Sequence, residues 1–189
     1  MKKIIKLLGL FVVAVALWGV WRMMSNDVPS HAKPAKNEPF VAEPVVYDVS
    51  SWAISPKSRE TKTLMAHLGV ATADDAMDFY GNPATCYRYT AHHEAPLYVV
   101  MGQDVMEVVW YHASPKDDVA FKEQSQNHAQ KVHALATAIY GTDGKTLMQA
   151  VLLEKPAPKL TGLIEAGCQA YQCRLIINTK KLGITTTKA

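Results

Sequence analysis

Apolar residues run without a charge from Leu7 to Trp21, with Lys2, Lys3 and Lys6 before them and Arg22 directly after. Counted from Ile4 to Met24, the segment is about 21 residues long, and at about 1.5 Å of rise per residue it covers roughly 30 Å, the depth of a bilayer's hydrocarbon core. The pattern predicts a transmembrane anchor over residues 4–24. Three lysines on the near side against one arginine beyond predict a cytoplasmic N-terminus, with the rest of the chain on the periplasmic side of an inner membrane. Trp18, Trp21 and Arg22 fall where indole rings settle at headgroup level and a guanidinium reaches outward. A signal peptide is the competing reading, since Ala14 and Ala16 have the spacing of a cleavage site. A cut there would leave only Leu7 to Val13 as the apolar core and would put Leu17, Trp18 and Trp21 at a new N-terminus. A helix lying on the lipid surface would need a polar stripe, and this one has none.

Beyond the anchor, Pro29, Pro34, Pro39 and Pro44 recur through residues 25–46. Each ring fixes φ, removes a donor and restrains the residue before it, so the segment is expected to be an extended linker reaching at most roughly 70 Å. The bland role is a spacer. A sharper one is a docking strip centred on Phe40 and Val41.

Residues 47–178 are enough for one domain with one core. Ser55-Pro56 predicts a helix start that runs to Leu68 before Gly69, and Thr72 a second short helix to Tyr80, closed by Gly81 and Asn82-Pro83. Three β-branched and aromatic runs follow between Thr85 and His112, separated by turns at His92–Ala95 and Gly102–Asp104, and they predict an antiparallel meander. Ser114-Pro115 opens the longest helix, to Tyr140, with Phe121, Ser125, His128, Val132, Leu135 and Ile139 on one face. Asp143-Gly144 reads as a turn into a fourth strand, Thr146–Leu153. The run CRLIINT is a fifth, and residues 179–189 form a polar, disordered tail. The expected class is α+β: one antiparallel sheet of four to five strands packed on one long helix, with two short helices before the sheet.

Composition changes this picture in one respect. The pI of 8.7 suggests a basic protein, but four of the 20 Lys and Arg lie within residues 1–22, and the remainder is close to balance against 17 Asp and Glu. A nucleic-acid partner is therefore not expected.

Candidate chemistry is sparse. Ser125 and His128 lie one turn apart on the apolar face of the long helix, but no nucleophile-elbow pattern surrounds the serine. With His112 they are the candidates for a ligand-binding pocket. His92, His93, His112 and His133 with Met101 and Met106 raise the thought of copper, yet no pair has metal-ligand spacing, so no metal site and no cofactor is predicted. The three cysteines are expected in an oxidising space, with Cys168 and Cys173 as the favoured disulfide and Cys86 left over. Five steps along a straight strand would separate that pair by roughly 16 Å, so Gln169–Gln172 must turn tightly. Pairing of Cys86 with either remains open.

Tyr87, Tyr89, Tyr98 and Trp110 crowd the meander, and alternation is expected to leave some of them on the face away from the helix as an interaction patch. Anchor, linker and the missing catalytic signature together point to interaction rather than catalysis. The expected function is an accessory or scaffolding part of an envelope assembly of secretion, conjugation or pilus type, with the lipid bilayer and other envelope proteins as partners. The alternative is a periplasmic enzyme, or a small-ligand or metal-binding domain, with its pocket near His112 and His128.

Overall fold

The computed structural model describes residues 45–185. The expected anchor at 4–24 with Trp18, Trp21 and Arg22, the linker up to residue 44, and residues 186–189 of the tail lie outside the described residues. Among the described residues no helix is long and apolar enough to cross a membrane.

Six strands form one sheet: β1 (Thr72–Met77), β2 (Pro83–Arg88), β3 (Leu97–Met101), β4 (Val105–Tyr111), β5 (Leu163–Gln169) and β6 (Gln172–Asn178). Their order is β1-β2-β3-β4-β6-β5, and every neighbouring pair is antiparallel. Among the described residues three α-helices accompany it, α1 (Thr61–Ala66), α2 (Val119–Tyr140) and α3 (Thr142–Leu152), with a short 3-10 helix at Val49–Ser51. The fold is α+β, as the pattern of elements predicts.

Strand periodicity explains where the core lies. Leu97, Trp110 and Cys173 stand side by side across β3, β4 and β6, as do Val99, Val108 and Leu175 in the next row. All six are buried in the main core with Leu135, Ile139, Leu147 and Met148 of the helices. The alternate residues Val100, Val109 and Ile176 face the other side of the sheet and are buried there too.

α2 forms where its caps allow. Asp118 accepts a hydrogen bond from Phe121 N at 2.8 Å, satisfying a first-turn donor, so the helix begins four residues later than the Ser114-Pro115 signal implies. Ser114 and Pro115 belong instead to a turn closed by Asp117 N donating to Ser114 O. Gly141, at φ 67°, ends α2 as expected.

Three expected elements are corrected. Thr146–Leu153 is not a strand but most of α3: Leu147, Met148, Val151 and Leu152 are its buried residues, a helical spacing. Gly144 is not a turn residue. A Cβ there would lie 2.3 Å from Ala136 O, so its bare Cα is what lets α3 close on α2. Thr72–Tyr80 is not a helix but β1 and its turn. Its edge position explains the four leading exposed residues, and Asp74 pairs with Arg88 at 3.3 Å across to β2. The first helix is shorter than Ser55–Leu68, because backbone groups before it are already engaged: Ser58 N donates to Ala138 O and Thr185 N to Arg59 O.

β5 is a strand the sequence pattern does not announce. It and β6 form a hairpin whose central residues, Ala170 and Tyr171, have φ 49° and 66°, the left-handed pair of a tight two-residue turn. That turn places Cys168 directly opposite Cys173, and they form the disulfide. Cys86 is free and buried. Part of the expected tail also belongs to the fold, since Ile184 is buried in the core and Thr185 bridges to Glu60.

Candidate functional site

His128 is buried one turn along α2 from Ser125. Tyr47 links the other two candidates, Ser125 and His112. Its hydroxyl donates to Ser125 Oγ at 2.8 Å, Ser125 Oγ donates to Tyr111 O at 2.8 Å, and the Tyr47 ring meets His112 edge-on at 5.1 Å. The serine's proton and one of its two lone pairs are thus committed, and among the described residues no base is hydrogen-bonded to it. His112 Nε2 lies 2.9 Å from Val45 O, and because a carbonyl only accepts, Nε2 carries the proton. His112 Nδ1, His128 Nδ1 and His133 Nε2 are buried without a hydrogen-bond partner among the described residues.

Burial is the main cause that lowers the pKa of all three imidazoles, to about 4 for His128 and His133. Lys131 adds to the shift at His128 and Lys145 at His133, while the Val45 carbonyl opposes it at His112. They are neutral at pH 7 and act as core residues, His133 with its ring edge-on to Trp52 at 5.3 Å. His92 and His93 are exposed in the β2–β3 turn. Among the described residues no three His, Cys, Asp or Glu side chains gather as a metal site.

The aromatic candidates divide by strand parity. Trp110 is fully buried beneath the helices and cannot belong to a surface patch. Tyr87 shares its row with Val99 on the helix side, and half-buried Tyr89 packs against the same core. Tyr98 alone lies on the opposite face, with the Arg88 guanidinium 5.9 Å from its ring centre. These two residues, with His92 and Glu94, line a surface groove of about 530 Å³.

The most exposed aromatic among the described residues, Tyr80, is elsewhere, at the tip of the β1–β2 hairpin beside Phe79. Met77, Phe79 and Tyr80 are 66, 41 and 59% exposed. Asp78 holds this tip. Its carboxylate accepts from Tyr80 N and Asn82 N, both at 2.9 Å, and its backbone bonds to Asn82 O and Gly81 N. Burial alone would raise the Asp78 pKa, but the hydrogen bonds from Asn82, Tyr80 and Gly81 outweigh it and keep the group below the usual carboxylate range. Gly81, at φ 80°, supplies the left-handed residue that a three-residue hairpin loop needs. The carboxylate also lies against Gly102, where a Cβ would stand 2.6 Å from Asp78 Oδ2. The tip is therefore backed by the β3–β4 turn. The sequence does contain its signal, Asp-Phe-Tyr-Gly-Asn-Pro, which reads as a helix end when the preceding segment is taken as helical.

No family model, no curated protein and no solved structure matches this chain.

Proposed function

We propose that the chain is a single-pass inner-membrane protein anchored by residues 4–24, with an interaction domain held in the periplasm by the proline-spaced linker. Its task is accessory or scaffolding work in an envelope assembly of secretion, conjugation or pilus type, and the partner-binding element is the β1–β2 hairpin tip. The observation that carries this reading is the Asp78-fixed loop presenting Met77, Phe79 and Tyr80 to solvent. Aromatic side chains on a pre-ordered loop bury large areas at small entropic cost, which is how a few residues come to dominate an interface. The rival enzyme or ligand pocket near His112 and His128 has less support, because the Ser125 proton is committed to Tyr111 O and Tyr47 packs against both Ser125 and His112.

The test replaces Phe79 and Tyr80 by serine in the full chain. Exposed substitutions of this kind change stability by no more than about 0.5 kcal/mol, so an unaltered melting temperature is expected together with loss of the envelope proteins that co-purify with the wild type. Retention of the same partners by the doubly substituted chain would overturn the assignment of the tip.

A further inference from the structure

We propose that the chain binds a compact phosphate-bearing anion in a pocket at the α2–α3 junction, recognised by Lys57, Arg59, Lys159 and Lys181. The pocket has a volume of about 440 Å³, room for a diphosphate or a phosphorylated headgroup, and its lining includes those four cations, Tyr140 and a single carboxylate, Asp143. The cations arrive from three separate parts of the chain. Lys57 and Arg59 lie on the extended segment before α1, Lys159 on the loop before β5, and Lys181 just after β6. Gathering them costs mutual repulsion, and no carboxylate among the described residues forms an ion pair with any of them: the ion pairs there are Arg88 with Asp74 and Arg174 with Glu165. A multiply charged anion supplies the missing counter-charge.

One of the cations is held by a hydrogen bond and a second lies against Gly141. Arg59 Nη1 donates to Ile139 O at 2.8 Å, which fixes one edge of the guanidinium. Lys57 lies across Gly141, so closely that a Cβ there would stand 2.8 Å from its Cε. Such pre-positioning lowers the entropic cost of ligand binding. The Tyr140 hydroxyl is buried without a partner, and burial raises its pKa to about 12 against a small opposing effect of Arg59. It stays a protonated donor at neutral pH, beside the same guanidinium.

The ligand could be a free phosphate compound or a lipid headgroup, and two probes separate these. The full chain is titrated calorimetrically with pyrophosphate, and separately with dihexanoyl phosphatidylglycerol below its micelle concentration, with dihexanoyl phosphatidylcholine as the uncharged-headgroup control. Saturable binding to either anionic probe is expected. Lys159→Gln and Lys181→Gln should each weaken it about tenfold or more, the scale of one charge-assisted contact. Neither lysine makes a hydrogen bond that the fold needs, so both variants should melt like the wild type, whereas Arg59→Gln also removes the bond to Ile139 O. Lys62→Gln, on α1 and outside the pocket, should leave affinity unchanged. Pyrophosphate binding alone assigns the pocket to soluble phosphates, and phosphatidylglycerol binding alone to headgroups. No binding of either probe, or binding that the Lys159 and Lys181 variants leave intact, would overturn the proposal.

Discussion

Gly144→Ala is expected to destabilise the domain even though it places the best helix former in a helix. Intrinsic propensity alone favours alanine over glycine by about 1 kcal/mol within a helix. The structure opposes this with geometry. The new Cβ would lie 2.3 Å from Ala136 O, 2.6 Å from Ala136 C and 2.8 Å from Thr137 N, all backbone atoms of α2 that no side-chain rotation can clear. Restoring ordinary contact requires α3 to move about 1 Å away from α2, opening the layer where Leu147 and Met148 pack. Overpacking of this kind costs typically 1–3 kcal/mol and sometimes more. Backbone against backbone belongs at the upper end, so the net loss after the propensity gain is about 2 kcal/mol. For a domain of this size that lowers the melting temperature by roughly 6–10 °C. Thermal and urea unfolding followed by circular dichroism read it directly. A melting temperature equal to or above the wild type would refute the helix–helix contact, and with it the replacement of the expected turn and strand by α3.

Three further outcomes follow from the buried groups. His128 and His133 have folded pKa values of about 4, and His112 is shifted in the same direction, against about 6.5 in an unfolded chain, so the native state refuses protons that the unfolded state accepts. Their stabilising contribution is complete above about pH 6.5 and is lost as the pH falls toward 4, each histidine adding at most about 1.4 kcal/mol per pH unit. Urea midpoints should therefore drop between pH 7 and pH 5, with a shallower drop in His133→Gln; equal midpoints would contradict neutral, buried imidazoles. Replacing Cys168 and Cys173 by serine opens a very short loop and should cost about 2 kcal/mol, read as a lowered urea midpoint that reductant reproduces in the wild type. Ser125→Ala leaves the Tyr47 hydroxyl without its acceptor and should cost about 1–3 kcal/mol, while wild-type Ser125 should resist a fluorophosphonate probe; labelling at Ser125 would revive the enzyme reading.

What the sequence made legible follows from the strength of local signals. The meander and α2 were readable because period-2 and near-3.6 patterns were long, apolar and bounded by turn residues. The disulfide is legible only as the favoured pairing of two cysteines close in the chain, and the tight turn that this pairing requires is supplied by the β5–β6 hairpin. β1 was not, because Thr-Ala-Asp-Asp-Ala-Met has no strand propensity and is held by pairing with β2 and by Asp74 with Arg88. α3 is hidden in the sequence because Asp143-Gly144 is a strong turn signal, and the glycine's actual role, contact with Ala136 of α2, is a tertiary one. Ser125 and His128 are legible as polar positions on the apolar face of the long helix and His112 as a residue of the neighbouring sheet, but Tyr47, which joins Ser125 to His112, arrives from far along the chain. The cation pocket was invisible for the same reason, its members being scattered between Lys57 and Lys181.

The proposed role of the Asp78-fixed tip, as the surface through which the domain meets a partner, has a direct test. A photoreactive residue placed at Tyr80 tests it in intact cells, against a control at Tyr171, which is also exposed but lies in the turn at the other end of the sheet. The account predicts one discrete adduct from position 80, absent from position 171 and lost when Phe79 is changed to serine. Identical adducts from both positions, or adducts from position 171 alone, would contradict it.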